Sequence, residues 1–129
     1  MSNVSKASNK KHLVMVVEDD QDSRDAIVTV IQSLGYETVA FESAVEALKQ
    51  IDTLKISIAL IDIMMPVMNG IELMQAIRNK PELSGLPIIL VTARAEDDDM
   101  LEGYKFGADY YIPKPFTAKQ IEYGLKLFL

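Results

Sequence analysis

The chain has 129 residues, of which 49% are hydrophobic and 25% charged, a size and composition that fit one compact domain with one buried core. It contains no cysteine, which excludes a disulfide framework, a thiolate metal site and a cysteine nucleophile. The formal net charge of -6 argues against direct nucleic-acid binding and favours binding of a cation.

The first twelve residues are polar and contain several lysines. We expect residues 1–12 to form a flexible N-terminal arm ahead of a single domain over residues 13–129. The arm lacks the apolar segment of roughly 7–15 residues that a signal peptide needs. No run in the chain approaches the ~18 apolar residues of a membrane span. We therefore expect a soluble protein in the cytoplasm.

Apolar runs alternate with helical patterns through the first half of the domain. Leu13–Val17 predicts a strand, and apolar positions 27, 30, 31 and 34 predict a helix that Gly35 ends. Residues 38–41 predict the second strand. Ser43 and Glu46 predict a capping box at the start of the second helix. The apolar run 56–61 predicts the third strand, which ends at Asp62.

The second half of the domain continues the alternation. Asn69 and Glu72 mark the start of a third helix, and residues 87–91 predict the fourth strand. Residues 97–106 predict a fourth helix, led by acids that suit the positive helix N-terminus. Residues 110–112 predict the fifth strand, and Thr117 with Gln120 predicts a capping box at the last helix.

Continuous apolar strands that alternate with helices are typical of a parallel sheet covered on both faces. The sequence therefore predicts an α/β fold, a doubly wound five-stranded parallel sheet with helices on both faces.

Polar side chains follow four of the predicted strands. Glu18 and Asp19 follow the first, Asp62 the third, Thr92 the fourth and Lys114 the fifth. Ligands of open parallel sheets bind at the carboxyl ends of the strands, so we expect these side chains to converge there. Each of them alone is also typical of an ordinary solvated acid, a capping threonine or a surface lysine. Their joint arrangement indicates a site.

Three converging acids favour a bound cation. Two carboxylates about 4 Å apart repel by roughly 4 kcal/mol at an effective dielectric near 20, and a divalent ion relieves that repulsion. Oxygen ligands suit Mg²⁺, with Mn²⁺ as an alternative, and the single histidine, His12, precedes the first strand, which argues against zinc. Beside Mg²⁺, Asp62 can attack a phosphoryl group whose charge Lys114 and Thr92 help to compensate.

Four motifs lie at these strand ends in order: VVEDD at 16–20, LIDIMMPVMNG at 60–70, LVTAR at 90–94 and GADYYIPKPF at 107–116. With these motifs the sequence resembles the response-regulator receiver domains of two-component signalling, from about residue 13 to 128. The resemblance implies the flavodoxin-like receiver fold.

The resemblance also implies a role for each matching residue. Asp62 matches the aspartate that is phosphorylated, Asp19 the direct Mg²⁺ ligand, and Glu18 the acid that holds metal-bound water. Met64 matches the position that gives the metal a backbone carbonyl. Lys114 matches the lysine that pairs with the phosphoryl group, and the Lys114–Pro115 bond matches one that is commonly cis.

A switch is implied as well. Thr92 matches the hydroxyl that moves towards the phosphoryl group, and Tyr111 the aromatic residue whose ring then turns inward. Met64 and Arg94 match positions that modulate the lifetime of the phosphoryl group.

The function implied is that of a signalling switch rather than an enzyme, because the domain catalyses only its own phosphorylation and dephosphorylation. The phosphoryl group comes from a sensor histidine kinase or a phosphotransfer protein. The fourth helix, fifth strand and last helix signal to a downstream effector domain or protein, and a homodimer can form on phosphorylation. The last helix carries only Lys119, Glu122 and Lys126 as charges, which speaks against the dimer of the DNA-binding subset.

Two other classes of protein remain open from the sequence. One is a receiver-shaped binding module that never uses Asp62. The other is a phosphatase of the haloacid-dehalogenase kind, which needs a second acid two residues after its nucleophile, where this chain has Met64. A nucleotide-binding Rossmann domain fits less well, because no glycine-rich loop follows the first strand.

Overall fold

The computed structural model describes residues 12–129, so residues 1–11 of the predicted arm lie outside the described residues. The five strands are β1 (Leu13–Val17), β2 (Glu37–Phe41), β3 (Ile58–Ile61), β4 (Ile88–Thr92) and β5 (Tyr110–Pro113). The five helices are α1 (Gln21–Ser33), α2 (Ala44–Gln50), α3 (Gly70–Arg78), α4 (Asp97–Lys105) and α5 (Ala118–Phe128). Short 3-10 turns at Ile51–Thr53 and Pro81–Leu83 follow α2 and α3.

The strands form one parallel sheet in the order β2-β1-β3-β4-β5. The order reverses between β1 and β3, which brings the carboxyl ends of these two strands side by side. β5 is an edge strand and pairs with β4, where Leu90 lies opposite Tyr111. The predicted doubly wound α/β fold is confirmed.

Each central strand packs on both faces, which explains its continuous apolar sequence. In β1, Met15 and Val17 face a core that also contains buried residues of α2 and α3. Val14 and Val16 face the opposite core, with buried residues of α1 and α5. Within residues 12–129, no helix has the length and apolar character needed to span a bilayer.

Side-chain caps fix where most helices begin. Asp20 caps α1 by accepting a hydrogen bond from the Ser23 amide, at 2.8 Å. Complete capping boxes start α3 at Asn69 and α5 at Thr117. Gly35 follows α1 with a φ of 92°, a conformation that favours glycine.

The predicted capping box of α2 is only half right. Ser43 accepts a hydrogen bond from the Glu46 amide, at 3.1 Å. Among the described residues, the Glu46 carboxylate makes no return bond to the Ser43 amide. This carboxylate is exposed and keeps its hydration, so it loses little by leaving that bond unmade.

Several predicted boundaries also differ from the structure by one or two residues, including the start of β2, both ends of β4 and the end of β5. β3 begins at Ile58 rather than at residue 56. α4 ends at Lys105 rather than at residue 106, because Gly107 follows with a φ of 117°.

Candidate functional site at the carboxyl edge of the sheet

Three acids meet where β1 and β3 end. Glu18 and Asp62 are buried, at 1% and 6% exposure, whereas Asp19 is exposed. Backbone hydrogen bonds continue past the strands and hold both positions, from Asp62 N to Val17 O at 3.0 Å and from Glu18 N to Phe41 O at 3.1 Å. The three side chains each offer a carboxylate oxygen, and these oxygens lie within 4.8 Å of one another.

Lys114 brings a positive charge into this cluster. Its Nζ donates to Asp62 Oδ2 at 3.1 Å and also to Glu18 Oε1. Its backbone amide donates to Thr92 O at 2.9 Å, which ties the end of β5 to the end of β4. Partial burial opposes the charge on Lys114, but the hydrogen bonds to Glu18 and Asp62 outweigh it and raise the pKa of the ammonium. The Lys114–Pro115 bond is cis, as the resemblance implied.

The acids nevertheless carry more charge than Lys114 neutralises. Burial raises the pKa of Glu18 to about 7; the Lys114 hydrogen bond opposes this shift and the charge of Asp62 adds to it. Three carboxylates beside one ammonium leave an excess of two negative charges when all are ionised. A divalent cation with oxygen ligands matches both that charge and the donor set.

The backbone around Asp62 is tightly folded. Asp62 Oδ1 accepts a hydrogen bond from the Met64 amide at 3.1 Å. The loop then returns, so that Gly70 N donates to Ile63 O at 2.9 Å. A Cβ placed on Gly70 would lie 2.2 Å from Asp62 O, a distance that no side chain can accommodate. Gly70 therefore lets α3 start directly against the backbone of Asp62.

A second group of contacts joins the end of β4 to β5. Thr92 is fully buried, and its Oγ1 accepts a hydrogen bond from the Arg94 amide at 3.2 Å. The Arg94 carbonyl accepts from the Tyr111 hydroxyl. The Tyr111 side chain is 4% exposed, and burial raises its pKa to about 12. The ring thus lies inward and is connected to Thr92 through the Arg94 backbone.

The Arg94 side chain is held separately from its backbone. Its Nη2 and Nε donate to Asp99 Oδ1 at 2.8 and 3.1 Å. Asp99 lies in the first turn of α4, so the Arg94 side chain is paired with that helix.

Residues 14–126 match the response regulator receiver domain family, which is most of the chain. The chain belongs to this family. Its curated relatives include the DNA-binding response regulator MtrA of Mycobacterium tuberculosis, 33% identical over 108 residues that cover 84% of this chain and 46% of that protein. The phosphate regulon transcriptional regulatory protein PhoB of Pseudomonas aeruginosa is 33% identical over 116 residues, covering 90% and 51%. This receiver domain therefore spans about half the length of the curated relatives it matches.

Solved receiver structures show the same fold. The Vibrio cholerae chemotaxis response regulator CheY4 superposes with a TM-score of 0.86 at 27% identity, over 92% of this chain and 98% of that one. The receiver domain of the Francisella response regulator 1452 gives a TM-score of 0.82 at 30% identity, over 91% and 96%.

The structure of this receiver brings together the acids and the lysine predicted from the strand ends, with Thr92 at the neighbouring strand. Met64 reaches the site through its amide, while its side chain is 55% exposed. The roles given to these residues stay predictions.

The sequence patterns predict no role for Gly70 or for Arg78. Gly70 was detectable in principle, because Asn-Gly is a turn signal and precedes a helix here. Arg78 donates to three backbone carbonyls and to Asp109 Oδ2, and nothing about a single arginine at the end of a helix indicates this.

Proposed function

We propose that this receiver domain is a phosphorylation-dependent switch that accepts a phosphoryl group on Asp62 in a Mg²⁺-dependent reaction. The observation that carries the proposal is the position of the Asp62 carboxylate, which lies among the carboxylates of Glu18 and Asp19 and accepts a hydrogen bond from Lys114 Nζ. The donor is a sensor histidine kinase or a phosphotransfer protein, and the switch acts in the cytoplasm.

The acidic cluster fits the metal that the family uses. Asp19 and Asp62 would hold Mg²⁺ through carboxylate oxygens, Met64 through its backbone carbonyl, and Glu18 through a metal-bound water; Mn²⁺ has the same preference for oxygen ligands. When bound, the cation supplies charge compensation for a phosphoryl oxygen.

The reaction at Asp62 is a substitution at phosphorus. A carboxylate oxygen of Asp62 forms a bond to the phosphorus of a phosphohistidine donor as the P–N bond breaks, and the imidazole nitrogen leaves with the bonding electron pair. Lys114 Nζ already donates to Asp62 Oδ2 and is positioned to pair with a phosphoryl oxygen. Preorganised charge of this kind is the main source of catalysis in phosphoryl transfer.

The switch begins at Thr92. A phosphoryl group adds about -1.5 to -2 charge and three acceptor oxygens, which attract the Thr92 hydroxyl. Movement of Thr92 Oγ1 breaks its hydrogen bond with the Arg94 amide, and the Arg94 carbonyl is where the Tyr111 hydroxyl donates. The position of the Tyr111 ring is thereby coupled to the state of Asp62.

The output surface consists of α4, β5 and α5. Exposed apolar side chains on this surface include Tyr104 and Leu101 on α4 and Tyr123 on α5. A downstream effector domain or protein binds this surface, and a homodimer can form through it on phosphorylation. The domain itself makes no nucleic-acid contact. Met64 and Arg94 influence the lifetime of the phosphoryl group. Met64 does so because its amide contacts Asp62 and its side chain is exposed, and Arg94 does so through its pairing with Asp99.

Intact mass after incubation with acetyl phosphate tests the proposal. We expect the wild type to gain one phosphoryl group in Mg²⁺ and none in EDTA, and the Asp62→Asn variant to gain none in either. Folded wild-type protein that gains no mass with acetyl phosphate or with phosphorylated kinase would instead indicate a binding module that does not use Asp62.

A further inference from the structure

Gly103 lies inside α4, where glycine is unfavourable because its backbone loses the most freedom on folding. It is buried and faces Leu90 and Tyr111. A Cβ placed on Gly103 would lie 2.9 Å from Leu90 Cδ1 and 3.0 Å from Tyr111 Cε2. The contact with Leu90 is too short to persist, and the contacts with the Tyr111 ring require the ring to shift by a few tenths of an ångström, so a side chain at position 103 requires a neighbour to move.

Of these two neighbours, the Tyr111 ring is the one that can move outward to the surface. Leu90 is fully buried on β4, inside the sheet, whereas Tyr111 is on the edge strand β5. The helix itself is held at both ends, by the Arg94–Asp99 ion pair at its first turn and by the Ala108 N to Gly103 O hydrogen bond of 3.0 Å near its last.

The position of the ring affects both ends of the switch. Its hydroxyl donates to Arg94 O, and the amide of the same residue donates to Thr92 Oγ1. On the other side, the Tyr111 ring lies 6.3 Å from the ring of Tyr104, which belongs to the exposed surface of α4. An outward ring therefore loses both the hydrogen bond to the Arg94 carbonyl and the contact with the Tyr104 ring.

We propose that Gly103 is a positioning residue for the switch: its missing side chain provides the space beneath α4 that the Tyr111 ring occupies. The inference rests on the proposed role of Tyr111 in signalling. A side chain at position 103 displaces the ring outward and uncouples the α4 surface from Asp62, while phosphorylation of Asp62 itself is unaffected.

Fluorine NMR of the full chain labelled with 3-fluorotyrosine tests this directly. The chain has five tyrosines, and the signal lost in Tyr111→Phe identifies the resonance of position 111. Wild type, Gly103→Ala and Gly124→Ala are compared before and after treatment with acetyl phosphate and Mg²⁺, with intact mass as the measure of phosphorylation. Gly124 is the matched control, since it is buried inside α5 and its added Cβ would lie 3.0 Å from Ile89 Cδ1 rather than near Tyr111.

We expect Gly103→Ala to move the Tyr111 resonance towards that of free fluorotyrosine in every condition where the wild type has a buried ring. Gly124→Ala leaves this resonance unchanged, and all three proteins gain the same mass. A Tyr111 resonance in Gly103→Ala at the wild-type position overturns the inference, as does a wild type whose ring is never buried. If no protein gains mass, the proposed function fails, and the untreated spectra still decide the role of Gly103.

Thermal unfolding provides a second test that does not depend on the single variant folding. Gly103→Ala should lower Tm in the wild-type background, and it should lower Tm less in a Tyr111→Leu background, where the large ring is gone and only the contact with Leu90 remains. An equal change of Tm in the two backgrounds, or failure of the double variant to fold where Tyr111→Leu folds, contradicts the inference.

Discussion

Val67 allows a test of backbone strain in the loop between Asp62 and α3. Its φ is 70°, in the left-handed region, where a β-branched residue is a genuine outlier. A hydrogen bond of 2.9 Å from Met68 N to Pro66 O closes a three-residue turn around it. The side chain is 94% exposed, so it contributes almost no packing. Replacement by glycine therefore changes backbone strain and little else.

The expected gain in stability follows from two opposing terms. An L-residue in the left-handed region costs roughly 1–2 kcal/mol, and glycine loses about 0.5–1 kcal/mol through its freer unfolded chain. We expect Val67→Gly to raise the free energy of unfolding by about 1 kcal/mol. With an unfolding entropy of roughly 2.1 cal/mol/K per residue over 129 residues, this corresponds to a rise in Tm of about 4 °C.

Thermal unfolding followed by circular dichroism measures this change, with Val67→Ala as the control. Alanine also removes the exposed side chain but keeps the Cβ that causes most of the strain, so its Tm should stay close to that of the wild type. A lower Tm for Val67→Gly, or an equal gain for Val67→Ala, would refute the assignment of strain to this position.

Three further predictions concern single positions. Gly70→Ala should lower the free energy of unfolding by about 3 kcal/mol, because its Cβ would meet backbone rather than a movable side chain; urea denaturation measures this, and a loss below about 1 kcal/mol contradicts it. Arg78→Ala should lower the free energy of unfolding by at least about 3 kcal/mol in the same assay, because three carbonyls and Asp109 lose the hydrogen bonds that Arg78 donates. Arg78→Lys should recover less than half of that loss. The pKa of Tyr111 is raised from an ordinary 10.0 to about 12, which means that the folded state favours the neutral hydroxyl. The contribution of this hydroxyl to stability is therefore lost as pH rises from 10 towards 12. The stability advantage of wild type over Tyr111→Phe should therefore shrink across that range, and a constant advantage speaks against burial of the hydroxyl.

The sheet and the acidic cluster could be predicted because both depend on local sequence. Strands buried on two faces are continuously apolar, and each ends where a polar residue such as Asp62 or Thr92 appears. The parallel arrangement then brings those ends to one edge whatever the loops do. The same reasoning could not indicate that the capping box of α2 is incomplete. The exposed Glu46 carboxylate can be hydrated by water instead of accepting a hydrogen bond from the Ser43 amide.

The contacts that connect the site to the rest of the fold depend instead on the paths of loops. The Tyr111 hydroxyl donates to the Arg94 carbonyl, 17 residues earlier in the chain, because the segment after β4 brings that carbonyl within reach of β5. Arg78 contacts the backbone carbonyls of residues 84, 86 and 107, which carry no side-chain signal, and the last of these lies 29 residues away in the sequence. The space at Gly103 likewise becomes visible only once the Tyr111 ring is in place.

The central claim is that Asp62 becomes an acyl phosphate, and chemical trapping tests it most directly. Borohydride reduces an acyl phosphate to an alcohol, so a phosphorylated aspartate becomes homoserine, which peptide mapping by mass spectrometry locates. After treatment with acetyl phosphate and Mg²⁺, we predict homoserine at position 62 and unmodified Asp19 and Glu18, with no conversion in EDTA. Homoserine at another acid, or none at position 62 in protein whose intact mass has risen by one phosphoryl group, would contradict the account.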